Sequence, residues 1–223
     1  MSQSEKHLTE KESLDLITQM INKAKESYYD TGVSAIMWGA LITFCSLEKL
    51  AELQFNYQLP FDIFLLTLVA IIPQIFISKK ENRQRKVKSY DDVYMNYIWL
   101  AFGICIFLMI LIVNFIFNAW EPLANDYQNL TGKNPLRFNE YTASLFLLLY
   151  GMPTFITGAA CKFKPMLWGG LICWACCIIS LFTNIKIDLL LTAFSAVFAW
   201  LIPGLIMKRG YEKAKKELAK ANV

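Results

Sequence analysis

The chain contains six predominantly apolar runs, most of them about 18–25 residues long, and a run of that length can cross about 30 Å of bilayer hydrocarbon as an α-helix. The composition agrees, because 56% of the 223 residues are hydrophobic, against about 45–50% in soluble domains. We therefore expect an all-α fold, a polytopic transmembrane bundle over residues 32–208 with six spans. The predicted spans are about 33–53, 61–78, 94–118, 141–161, 166–183 and 187–207. The longest predicted loop covers residues 119–140, where Pro122, Gly132 and Pro135 are potential helix breakers.

The polar segment before the first span has a helical pattern. Its apolar residues are spaced by three and four positions, which places them on one face of an amphipathic helix within residues 1–31; they are Leu14, Ile17, Ile21, Ala24 and Tyr28. Such a helix either lies on the membrane surface or packs on the protein's own loops, or else it docks on a partner or a second copy. Residues 209–223 form a basic tail.

The basic residues are distributed unevenly between the two sides of the predicted bundle. Eighteen of the 22 Lys and Arg residues fall on the side that holds both termini, and four fall on the other. Basic loops stay in the cytoplasm, so we expect both termini to be cytoplasmic. Because these residues lie beside spans, their expected partners are the lipid bilayer and its anionic headgroups, and not nucleic acid. The headgroup-contacting residues are predicted to be Lys79, Lys80, Arg83, Arg85, Lys86, Lys208 and Arg209.

Part of the sequence recurs at an offset of 130 residues. Trp38-Gly39 is matched by Trp168-Gly169, and Pro73 in the following span is matched by Pro203. Either the first and last helical hairpins are copies related by an axis along the membrane normal, or the match is a coincidence between apolar helices that are built from few residue types. A duplication predicts that the two hairpins superimpose.

Prolines occur near the cytoplasmic ends of the second, fourth and sixth spans. Each proline lacks an N–H and frees a carbonyl one turn earlier, and in lipid that carbonyl needs a partner. One interpretation is three kinks that frame a polar vestibule open to the cytoplasm, and the other is ordinary kinks satisfied by packing. The candidate vestibule consists of Pro73, Gln74, Pro153, Thr154, Thr157 and Pro203.

The sequence contains few residues of the types that catalyse reactions or bind cofactors and metals. The only histidine is His7, in the N-terminal segment, and no phosphate-binding or nucleophile-elbow motif occurs, so we expect no catalytic residue, cofactor or metal site. The six cysteines lie in or beside apolar runs, as small packing residues do. The acidic residues of the outer half are expected near the interface, within reach of water; they are Glu48, Glu52, Asp62 and Asp188.

Three sequence segments resemble a family of uncharacterised six-span bacterial inner-membrane proteins with no assigned activity. They are Asp30-Thr31-Gly32 running into Ile36-Met37-Trp38-Gly39, then Gly151 to Gly158, and Lys162 to Met166. The resemblance implies topology and location only. We therefore expect a non-enzymatic structural or regulatory membrane component, with a protein partner or a homodimer, and the alternative is a small-molecule permease that uses the vestibule.

Overall fold

The computed structural model describes Leu14 and residues 31–84, 90–133, 135 and 138–221. These residues form helices and connecting turns, and no strand occurs among them. The amphipathic helix predicted within residues 1–31 lies outside the described residues except for Leu14 and Thr31, as do Arg85 and Lys86 of the basic loop.

Eight α-helices follow one another along the described chain. They are α1 (Val33–Phe55), α2 (Leu66–Val69), α3 (Ile71–Gln84), α4 (Tyr90–Thr131), α5 (Thr142–Ala160), α6 (Lys164–Ser180), α7 (Ile185–Ala196) and α8 (Ile202–Ala221). Short 3₁₀ turns at Ile63–Leu65 and Phe138–Tyr141 precede α2 and α5, and a π-helical segment, Val197–Leu201, joins α7 to α8.

Five helical stretches are long and apolar enough to cross a membrane, which is the character of a multi-pass membrane protein. They are Val33–Phe55, Ile63–Glu81, Tyr94–Thr131, Thr142–Ala160 and Ile185–Lys213. Helix α6, where a fifth span is predicted, is apolar but has only 17 residues.

One loop prediction is wrong over most of its length. Helix α4 continues through Pro122 to Thr131 as one helix of 42 residues, although residues 119–140 are expected to form a loop. A proline removes only the hydrogen bond to the carbonyl four residues earlier, and the long helical stretches on both sides carry the backbone through it. The helix ends at Gly132, which has a φ of 68° and donates its N–H to the Gln128 carbonyl.

The core forms where α1, α5, α6 and the α7–α8 helix meet. Glycines let backbones approach closely there: a β-carbon on Gly39 would lie 2.6 Å from the Leu201 nitrogen, and one on Gly169 would lie 2.6 Å from Ala199 Cα. Gly39 and Gly169 therefore both face other helices. Gly32 adopts a φ of 69°, and a β-carbon there would lie 2.3 Å from the Gly204 carbonyl oxygen, so this crossing requires glycine.

Helices α3 and α4 lie at the edge of this core. Helix α3 packs on α1, where Gln74 accepts a hydrogen bond from Trp38 Nε1 (3.0 Å) and donates to Ser34 Oγ (3.1 Å). Helix α4 packs on α5 and contributes Trp99, Phe102 and Ile106 to the edge of the core. No residue of the most apolar stretch of α4 is buried in the protein.

The two hairpins with the 130-residue offset are packed differently. Trp168 is 62% exposed, whereas Trp38 is half-buried and hydrogen-bonded, and Pro73 is exposed whereas Pro203 is fully buried. Gly169 contacts the second helix of its own hairpin, whereas Gly39 contacts the helix of the other hairpin. The equivalent environments that a duplication predicts are not found.

Candidate functional site

The one carboxylate in the buried core belongs, among the described residues, to Asp188, in the first turn of α7. Asn184 caps that helix by accepting a hydrogen bond from Ile187 N (3.1 Å), and Asp188 N donates to the Asn184 carbonyl (2.9 Å). The helix start therefore fixes the carboxyl group in position. Asp188 is 1% exposed, so the expectation that water reaches it at the interface is wrong.

Hydrogen bonds hold one oxygen of the Asp188 carboxyl group and leave the other open. Thr183 Oγ1 donates to Oδ1 (2.5 Å), and Oδ2 has no hydrogen-bond partner. Thr192 Oγ1, one turn later, donates to the Asp188 backbone carbonyl (2.8 Å). A buried ionisable group with an unpaired oxygen inside a membrane helix is a candidate functional group.

A seam of small and polar residues connects α6 to the α7–α8 helix. On α6 the seam residues recur every three or four positions, and the facing residues do the same, so that one row packs on the other. The rows are Gly169, Cys173, Cys176 and Ser180 on α6, and Ala199, Ser195, Thr192 and Asp188 opposite; all eight are buried. Gly169 contacts Ala199 at one end of the seam, and Ser180 and Asp188 lie about three turns away, at its other end.

Helix α5 completes this end of the core. Ser144 Oγ lies 2.6 Å from Ser180 Oγ, and Ser180 donates its hydroxyl hydrogen to the Cys177 carbonyl (2.9 Å). Either hydroxyl can be the donor in the serine pair. We refer to Ser144, Ser180, Thr183 and Asp188 as the outer polar cluster.

A second polar contact lies deeper, beside the π-helical segment. Trp200 Nε1 donates to Thr154 Oγ1 (2.8 Å), and Thr154 donates to the Tyr150 carbonyl (2.7 Å). The rings of Tyr150 and Trp200 are tilted by 56° with 4.9 Å between their centroids, and Phe102 of α4 approaches both edge-on. Ile202 N donates to the Val197 carbonyl five residues earlier, so the helix widens directly before Pro203, which has no N–H.

The candidate vestibule residues do not lie together in the structure. Pro73 is exposed, and Gln74 bonds to Trp38, Ser34 and Ser78 at the α1–α3 contact. Pro153, Thr154, Thr157 and Pro203 are buried in the core, and Thr157 Oγ1 has no partner. Thr154 contacts the helix that contains Pro203 through its hydrogen bond with Trp200, whereas Pro73 and Gln74 lie on α3, which packs on α1. The vestibule as a function stays a prediction.

An apolar groove of about 440 Å³ opens between α1 and α7, lined by Thr43, Leu47, Leu190, Phe194 and neighbouring residues.

In the loop after α1, a hydrogen bond to Glu48 raises the pKa of the Tyr57 hydroxyl to about 12.

Five of the basic residues that are predicted to contact lipid headgroups are exposed, as such contact requires. They are Lys79, Lys80, Arg83, Lys208 and Arg209.

Sequence reasoning missed the outer polar cluster. The signal was available in part, because Asn184 is a typical helix cap and Asp188 falls four residues later inside an apolar run. What the sequence does not give is the rotation of α7 that turns Asp188 toward α6.

Comparison with known proteins gives no relative: no family model, no curated protein and no solved structure matches this chain significantly. The functional conclusion therefore rests on the sequence and on the geometry alone, and the family resemblance stays a prediction.

Proposed function

We propose that this protein is a six-span component of the bacterial inner membrane with both termini in the cytoplasm. Helix α6 would be the fifth span, because its 17 residues extend about 26 Å at 1.5 Å per residue, close to the thickness of the hydrocarbon core. Short turns connect it to α5 and α7. The uneven count of basic residues supports the orientation, and it requires an even number of spans.

We propose that its role is structural or regulatory and non-enzymatic, exerted through contact with another protein. The supporting observation is the outer part of α4. Its 42 residues extend about 63 Å, roughly twice the hydrocarbon thickness, so the part after Asn118 would project from the bilayer. Leu123, Tyr127 and Leu130 recur there at helical spacing and are exposed, Leu130 by 87%.

The chemistry of this stripe indicates what would cover it. Lipid tails do not reach a segment outside the hydrocarbon, so an apolar stripe there favours a protein surface. Residues 119–131 carry Glu121 and Asp126 and no basic residue, so a second copy would bring like charges together. We therefore propose a different membrane protein with an apolar surface and basic residues around it.

Photocrosslinking in intact cells tests this proposal. A photoreactive phenylalanine analogue at Leu123 or Leu130 should give one adduct of fixed mass, and the analogue at Asn125, on the opposite face, should not. Mass spectrometry should identify a membrane protein in the adduct, and replacing Glu121 and Asp126 with Lys should reduce its yield. An adduct of twice the chain's mass would show a homodimer, and lipid adducts alone would refute a protein contact. The permease alternative gains no support from the separated vestibule residues.

A further inference from the structure

The side chain of Asp188 has no cationic partner among the described residues. The charged residues at this end of the bundle are engaged elsewhere: Lys186 Nζ donates to Gln54 (3.0 Å), and Lys49 pairs with Glu52 (2.7 Å). Glu48 accepts the Tyr57 hydroxyl. Glu140, in the turn before α5, is within electrostatic range of Asp188, but it is a second acid. Among the described residues, an ionised Asp188 would therefore have no compensating charge, and burial of such a charge is strongly unfavourable.

The remaining titratable groups on the helices that pack against α7 do not supply that charge either. Apart from Lys164, at the opposite end of α6, they are thiols and a phenol, which bear no positive charge: Cys45 on α1, Tyr150 on α5, and Cys173, Cys176 and Cys177 on α6. The partial positive charge of the α7 N-terminus acts on the carboxyl group, but it is only a fraction of an elementary charge.

The Oδ2 atom of Asp188 is the carboxyl oxygen that no hydrogen-bond donor reaches. A carboxylate oxygen there would be a buried charge without a donor, whereas a protonated oxygen carries no charge.

We propose that Asp188 is a proton-binding site, whose carboxyl group carries a proton on Oδ2 and stays neutral in the core. The proton spares the start of α7 an unpaired buried charge. Release of this proton to water at high pH leaves that charge in place and weakens the packing of α7 on α5 and α6. This inference does not depend on the proposed protein contact of α4.

Infrared spectroscopy of the purified protein in lipid tests the protonation state. The difference spectrum between wild type and the Asp188→Asn variant at neutral pH should contain the carbonyl stretch of a protonated carboxyl group. The Thr183→Val variant should keep this band and shift its frequency, because the hydrogen bond from Thr183 Oγ1 to Asp188 Oδ1 is lost. Asp62→Asn is the matched control, since Asp62 is exposed and caps a 3₁₀ turn through Phe64 N, and it should leave the band unchanged.

The pH dependence of stability provides the second readout. Asparagine keeps the shape of the neutral acid and cannot ionise, so wild type and Asp188→Asn should unfold at similar denaturant concentrations at low pH. As pH rises, the wild-type midpoint should fall relative to that of the variant, because only the wild type acquires the buried charge. If the band is absent and the variant is less stable at every pH, Asp188 is ionised and the proposal is wrong. Stabilisation of wild type by Na⁺ but not by acid would assign the site to a metal cation instead.

Discussion

The close approach at Gly39 allows a quantitative prediction. A β-carbon on Gly39 would lie 2.6 Å from the Leu201 nitrogen and 2.9 Å from its Cα, whereas unstrained carbon contacts lie at about 3.5–4.0 Å. Gly39→Ala must therefore push α1 and the α7–α8 helix apart by about 1 Å, which forfeits a quarter to a half of each contact energy at the crossing. Overpacking of this kind costs about 1–3 kcal/mol.

The intrinsic helix preference of alanine acts in the opposite direction. Alanine favours the helix over glycine by about 1 kcal/mol, so Gly39→Ala should be destabilised by a net amount of about 0–2 kcal/mol. Gly103 on α4 provides the matched control, because a β-carbon there would meet nothing within 4 Å. Gly103→Ala should gain up to about 1 kcal/mol, which leaves the two variants about 1–3 kcal/mol apart.

Equilibrium unfolding in mixed detergent micelles, followed by tryptophan fluorescence, measures this difference. Gly169→Ala should behave as Gly39→Ala does, since its β-carbon would lie 2.6 Å from Ala199 Cα. If Gly39→Ala and Gly169→Ala were as stable as Gly103→Ala, the helices would not be in backbone contact and the packing described here would be refuted.

Three further predictions concern other parts of the chain. A reporter fused after Val223 should be active only on the cytoplasmic side, and periplasmic activity would overturn the orientation. Thr154→Val should cost about 1–3 kcal/mol by leaving Trp200 Nε1 unpaired, and adding Trp200→Phe should cost less than the sum of the two single changes. Additive costs would show that the hydrogen bond contributes nothing. Replacing Ile17 and Ile21 with Asp should speed proteolysis of residues 1–30 in detergent, because their apolar face is predicted to pack on protein. If the wild-type segment were cut as fast as that of the variant when anionic lipid is absent, the segment would not be docked on protein.

The positions of the helices could be predicted from the sequence, because apolar length is a local property. The predicted spans at about 33–53 and 141–161 correspond to α1 and α5, and the first of them was recognisable although Glu48 and Glu52 interrupt its end. Gly39 and Thr43 lie four residues apart on one face of α1, and both contact the α7–α8 helix, Thr43 Oγ1 by donating to the Ala193 carbonyl at 3.5 Å.

The faces of those helices were decided by tertiary structure alone. A membrane-spanning helix is apolar on all sides, so its sequence contains no amphipathic signal that separates a core face from a lipid face. For this reason Pro73 and Pro203, alike in sequence, have opposite exposure, and Asp188 lies in the core although its position in the span is close to water. The rotation of each helix follows from backbone contacts at residues such as Gly169, and these contacts exist only once the neighbouring helix is in place.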